Sequence, residues 1–266
     1  MTIIYTVIVF FVISIILSMI GLGGGVLYVP LLLFLGYNFQ DSSTLSLFLI
    51  IVTGFSAFTR FRKAKLVDWQ LALVLELFTD VGAFIGGMTS IHYHDVYLKL
   101  TFAILLIVAA ILMLKMQNRD RNKLRVKTGY FYWLRHFGGY TYSVSIPLII
   151  PITLIIGYLS GLLGIAGGVF KVPIMILWFG IPAKIAIATS SLMVSLTGLL
   201  GLGGHLMHTK VDWWFAIGLG AVVFIGGQVG SKISIGLPEK KVKKIMAYIF
   251  ILLAVYMILS NVLHLN

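Results

Sequence analysis

Apolar positions run along this chain in long unbroken stretches, and polar positions gather between them. Ile3–Ile20 is long enough to cross a bilayer as a helix. Val26–Gly36 is as apolar but would be only about 16 Å long, half the bilayer core. Thr44–Thr59, a segment from Asp68-Trp69 to about Ser90, and Tyr97–Lys115 follow. After a hydrophilic interval the order returns: Ile146–Leu163, a short Val169–Gly180, Ala183–Leu202, Asp212-Trp213 to about Ser231, and Val242–Leu263. Continuous runs of this kind predict helices, since the strands of a membrane barrel alternate. Aspartate suits a helix N-cap and tryptophan the membrane interface, so each Asp-Trp pair marks a helix start. Tyr37–Ser43, Arg60–Lys65, His92–Val96 and His205–Lys210 are expected as loops.

The hydrophilic interval, Met116 to about Ser143, sets Arg119, Arg121, Lys123, Arg125, Lys127 and Arg135 against a single acid, Asp120. Its second part is aromatic (Tyr130, Phe131, Tyr132, Trp133, Phe137, Tyr140, Tyr142). It is expected to be a cytoplasmic linker with its end in the headgroup layer, where anionic lipids would meet its charges. The chain then divides into a first membrane repeat over 1–115, this linker over 116–145 and a second repeat over 146–266.

Composition agrees. The chain is 60% hydrophobic and 11% charged, against about 25% charged in a soluble domain, so most of it must lie in lipid. Its net charge of +12 is confined to a few loops, which marks a cytoplasmic side and not a nucleic-acid partner. There is no cysteine, which excludes disulfide and thiol chemistry. The first apolar run lacks a basic n-region and a small-residue cleavage site and reads as a retained helix. Placing Arg60–Lys65, Lys115–Arg135 and Lys232–Lys244 inside puts corresponding loops of the two halves on opposite sides. The expected fold is an all-α polytopic membrane protein of two inverted-topology repeats, with eight to ten membrane segments including short broken or re-entrant helices.

The repeat is sharpest at two glycine clusters. Gly21-Leu22-Gly23-Gly24-Gly25-Val26-Leu27-Tyr28-Val29-Pro30 matches Gly164-Ile165-Ala166-Gly167-Gly168-Val169-Phe170-Lys171-Val172-Pro173. Ser46 matches Ser190, Thr53-Gly54 matches Thr197-Gly198, Gly82 and Gly86 match Gly226 and Gly230, and Val-Asp-Trp recurs at 67–69 and 211–213. A duplication this regular marks a repeat architecture.

These residues carry a resemblance. The two glycine clusters ending in Val-Pro, the run Ala188-Thr189-Ser190-Ser191-Leu192, and His205 followed by Val211-Asp212-Trp213 resemble the TauE/SafE sulfite exporter family over nearly the whole chain except the linker. The resemblance implies a permease in a prokaryotic cell membrane, moving sulfur-containing anions such as sulfite or sulfonates. The first half departs from the second, with Tyr28 in the place of Lys171 and Phe61 in that of His205.

An anion crossing lipid needs compensation for lost hydration. Helix N-termini after Gly23, Gly24 and Gly25, and after Gly167 and Gly168, would offer amides and a positive dipole end at the bilayer midplane. The alternative is that these glycines only permit close helix packing. Lys171, in the first turn of the second short helix, would pair with an oxyanion, or else snorkel to a headgroup. Ser46, Thr189, Ser190 and Ser191 would donate hydroxyls to the ligand, or else bond backbone. His205 is a candidate gate or pH-sensitive ligand. Asp80, mid-helix, is the candidate for proton coupling or for pairing with Lys171, or else a structural carboxyl; Glu76 is expected to be solvated nearer the cytoplasmic end.

No metal or cofactor is expected: the six histidines have no ligand spacing and nothing resembles a phosphate-binding loop. The leading expectation is a secondary transporter working by alternating access around the paired breaks, the alternative an anion channel. A membrane hydrolase built on Ser160, Ser190 and His205 lacks a nucleophile turn, so no enzyme is expected. A structural subunit would move nothing alone. The expected partners are a small anion, lipid and, as one option, a second copy in a homodimer.

Overall fold

The computed structural model describes residues 2–23, 25–117, 128–209 and 211–238, with 241, 244, 245, 248 and 252. Among these, nine α-helices are laid down in order: α1 (Thr2–Met19), α2 (Gly25–Phe34), α3 (Phe39–Lys63), α4 (Trp69–Thr89), α5 (Asp95–Gln117), α6 (Ile146–Leu163), α7 (Gly168–Leu177), α8 (Ala183–His205) and α9 (Trp213–Gly236). Among the described residues, five segments are long and apolar enough to cross a membrane: Phe39–Lys63, Trp69–His92, Ile146–Leu163, Ala183–His205 and Trp213–Gly236. The short helices fall at both glycine breaks, as the lengths of the apolar runs require. The chain is an all-α polytopic membrane protein. The expected closing crossing at 242–263, and residues 118–127 of the basic linker, lie outside the described residues apart from the few just named.

Two expectations about loops are corrected. The polar stretch 37–43 is not a loop: α3 begins at Phe39, because Asn38 caps it, its side chain accepting from the Asp41 amide at 2.8 Å. The helix also runs through Arg60, Arg62 and Lys63, whose charges complement its C-terminal dipole. The aromatic end of the linker is regular structure. It is a β-hairpin, β1 (Tyr132–Phe137) paired antiparallel with β2 (Tyr140–Ser145). Gly138 and Gly139 turn it, both with positive φ (58° and 75°), the conformation a two-residue hairpin turn of matching twist demands. Tyr142 and Val144 on β2 are buried in the main core with Phe179, Ile181 and Ile185.

Packing follows the sequence repeat. α4 lies along α6, α9 along α1, and α3 along α8, with α8 also on α4 and α3 on α9. The helix that follows the Asp-Trp pair of each half, α4 or α9, therefore packs on the first helix of the other half. The matched glycines do this work: Gly82 and Gly86 face the backbone of α6 at Leu154 and Tyr158, and Gly226 and Gly230 face α1 at Phe11, Ser14 and Ile15. None of the four leaves room for a Cβ. Small residues let helices approach closely in lipid, where van der Waals contact replaces the hydrophobic drive.

Candidate functional site

The breaks are made by backbone that L side chains avoid. Gly21 and Gly23 (φ 72° and 71°) turn the chain out of α1, and Gly164 and Gly167 (φ 72° and 70°) out of α6. Ala166 (φ 51°) takes the same region without being glycine. The two breaks then meet. A Cβ on Gly25 would strike the Ile165 backbone at 2.7 Å, and one on Gly168 the Leu22 backbone at 3.0 Å. Ile50 of α3 and Val194 of α8 both press on Gly23. The structure thus brings together Gly23, Gly25, Gly167 and Gly168; Gly24 lies outside the described residues.

The serines stitch the breaks across the repeat. Ser46 of α3 donates to the Gly164 carbonyl at 2.9 Å, and its match Ser190 of α8 donates to the Gly21 carbonyl at 2.8 Å. Each half supplies the hydroxyl that satisfies the other half's turned backbone. Thr189 accepts from the Asp68 amide at 3.1 Å, and Ser191 donates back to the Ala188 carbonyl at 2.6 Å. All four hydroxyls are therefore engaged with backbone in this conformation.

Lys171 is different. It is 4% exposed, and its Nζ donates to Glu76 Oε1 and to Thr197 Oγ1, each at 2.6 Å. Thr197 in turn donates to Glu76 Oε2 at 2.5 Å. The three side chains come from α7, α4 and α8 and close a triangle inside the bundle. Glu76 is 1% exposed, which corrects the expectation that it is solvated. It is also the partner of Lys171, a role considered above as one option for Asp80. Position along the helix misled here, because α6 and α8 cover the inner turns of α4. Asp80 lies one turn further on, close enough to oppose a charge on Glu76, and its Oδ1 is buried with no hydrogen-bond partner among the described residues. Ser160 Oγ is a second such atom, beside Gly167 and the ε-carbon of Lys171.

Space around Lys171 is small. A cavity of about 20 Å³ lies between it and Leu75, Ile149, Thr153, Ile156 and Met193, room for about one water. No tetrahedral or pyramidal oxyanion fits there without helix movement. A buried ion pair stays tolerable because its charges cancel, whereas removing one partner leaves an uncompensated charge. This geometry holds a cation ready and supplies it with an internal anion.

His205 stands apart. Its Nε2 bonds the Gly161 carbonyl at 2.8 Å and its Nδ1 faces Ser90 Oγ at 3.4 Å, joining α8 to α6 and to the end of α4. Among the described residues no group of three or more His, Asp or Glu could hold a metal.

A second ion pair ties the hairpin to the bundle. Asp68 caps α4 by accepting from the Leu71 amide at 3.1 Å. It also receives Arg135 Nη2 at 2.6 Å and the Tyr142 hydroxyl. Burial, with the Asp68 carboxylate beside it, pushes the Tyr142 hydroxyl far above the ordinary phenol range, so it stays a donor. The sequence identified Asp68 as a cap but missed the latch. The readable signal was Gly138-Gly139 between two aromatic and β-branched runs.

The comparisons with known proteins agree with this architecture. The family described as Sulfite exporter TauE/SafE matches residues 6–257. The chain is 33% identical over 256 residues to the probable membrane transporter protein YunE of Bacillus subtilis strain 168, covering 92% of this chain and 93% of that one. It is 26% identical over 271 residues to the probable membrane transporter protein MJ0441 of Methanocaldococcus jannaschii, covering 95% and 94%. It is 26% identical over 246 residues to a probable membrane transporter protein of Xylella fastidiosa strain Temecula1, covering 91% and 89%. No solved structure matches. A bundle of apolar helices with two convergent breaks, matched over more than nine-tenths of its length by these relatives, this chain belongs to the TauE/SafE sulfite exporter family: it is a multi-pass transporter of the cell membrane, not an enzyme.

Proposed function

We propose that the chain is a secondary permease for small sulfur-containing anions, sulfite or short sulfonates, with its site at Lys171. One observation carries this reading: the buried ammonium of Lys171 stands in the first turn of α7, beside the meeting point of the two breaks, bonded to Glu76 and Thr197. Sulfur oxyanions enter through the description of the family; the ammonium, the Thr197 hydroxyl and the glycine backbone suit their charge and oxygen geometry.

The halves act as inverted repeats that rock about the breaks, opening Lys171 to one side and then the other. The exchanged serine bonds and the crosswise helix pairing support that relation. The closed, nearly filled site favours a carrier over a channel. The test is flux of sulfite and methanesulfonate into proteoliposomes, wild type beside Lys171→Ala. Saturable flux that the variant loses supports the site. Equal flux in the variant removes Lys171 from it.

A further inference from the structure

We propose that Glu76 is the group the transported anion displaces, and that each anion bound at Lys171 places one proton on Glu76. The inference rests on the permease reading above and adds the coupling.

The ammonium has three N–H donors, and two are spent on Glu76 and Thr197. An arriving anion must take the position that Glu76 Oε1 now holds, since the adjoining cavity admits about one water. Were Glu76 to stay ionised, two negative charges would share one buried cation. An unpaired buried charge is among the costliest features a protein can hold. The balanced step starts from ammonium and carboxylate, takes up one anion and one proton, and ends as ammonium and anion beside a neutral carboxylic acid. The Lys171–Glu76 bond breaks, a Lys171–anion bond forms, and the proton ends on a Glu76 carboxyl oxygen.

The surroundings support the exchange. Thr197 now donates to Glu76 Oε2 and accepts from Lys171; a hydroxyl can reverse and accept from the new acid. Asp80, with its unpartnered buried Oδ1, is the other acceptor within a helical turn. The ionisable groups that face Glu76 are Lys171 from α7 and Asp80 from α4 itself. From the elements packed on α4, Tyr158 of α6 bonds Thr89 and Tyr93. On α8, Lys184 bonds the Ile235 carbonyl, and His205 bonds Gly161. Asp80 was the candidate for proton coupling on sequence alone; contact with the ammonium points to Glu76 instead. The consequence is symport of anion and proton, electroneutral for a monoanion and moving one net negative charge for a dianion.

The deciding measurement uses methanesulfonate, which has no proton to give in the working range. Its binding to the intact wild-type protein is followed by calorimetry in two buffers of different ionisation heat, which counts protons taken up. About one proton per anion is expected, and about none in Glu76→Gln. In proteoliposomes a pH gradient should drive wild-type uptake and leave Glu76→Gln uptake undriven. No proton uptake in the wild type overturns the proposal, and this count needs no variant to fold. A full count retained in Glu76→Gln overturns it too, as does a count lost only in Asp80→Asn. Failure of the wild type to bind or move either methanesulfonate or sulfite would instead remove the anion-permease reading and this step with it.

Discussion

The two breaks share left-handed turns at Gly21 and Gly23 and at their matches Gly164 and Ala166, and differ in chemistry. In the second, Lys171, Thr197 and Glu76 form a buried charged triangle. In the first, the matched residues are Tyr28, Thr53 and Gly220. Tyr28 bonds Thr53 at 2.9 Å, Thr53 donates to the Leu49 carbonyl at 2.8 Å, and the Tyr28 ring stacks on Phe10. Gly220 faces the Phe48 ring where Glu76 would stand. The threonine is kept in both, but one copy is neutral and filled by an aromatic ring, the other charged. The duplicated scaffold thus carries its buried ion pair at one break and builds the other without one. The Val-Asp-Trp pairs differ likewise: Asp212 is an exposed cap on two amides, while Asp68 is buried under the hairpin.

The largest test is to make the second break resemble the first. Lys171→Met strands Glu76 and should lower unfolding stability by about 3–5 kcal/mol. Adding Glu76→Leu should recover most of that while flux stays lost. Thermal unfolding in detergent, paired with liposome flux, reads both. A single variant as stable as the wild type would mean the triangle is not a coupled pair.

Next comes the contrast between the two caps. Arg135→Ala leaves Asp68 buried with the Tyr142 hydroxyl and backbone amides, and should cost about 2–4 kcal/mol. Limited proteolysis at the Gly138-Gly139 turn should accelerate with it. Asp212→Ala loses only a cap, about 1 kcal/mol. Equal losses at Arg135 and Asp212 would make the latch incidental.

The smallest effect is at Ala166, which adopts at φ 51° what its match Gly23 adopts freely. Ala166→Gly should stabilise by about 1 kcal/mol, measurable as a raised unfolding temperature. A fall would show that packing of the Ala166 methyl outweighs its backbone strain.

Much of this was legible in the chain. Apolar run length gave the helices, glycine spacing the breaks, and a lysine out of place in apolar sequence marked the buried ion pair. What stayed hidden was set by contacts between distant segments. Glu76 lies two turns into α4, where counting from Asp68 suggests solvent; α6 and α8 bury it. Backbone bonding was one of the two options for the serines, yet which carbonyl Ser46 and Ser190 satisfy depends on a break in the other half. The hairpin was obscured because aromatic residues beside a basic stretch suit a membrane surface as well as a strand.

The exchanged serine bonds also bear on biogenesis. The Gly21 carbonyl is satisfied by a hydroxyl 169 positions later in the chain. During co-translational insertion the first half therefore enters the bilayer with its turned backbone unfinished, and it is completed only when α8 arrives. The two halves ripen together, so a truncated first half should be held by insertion chaperones or degraded. The halves expressed as two separate chains should accumulate only when both are made in the same cell.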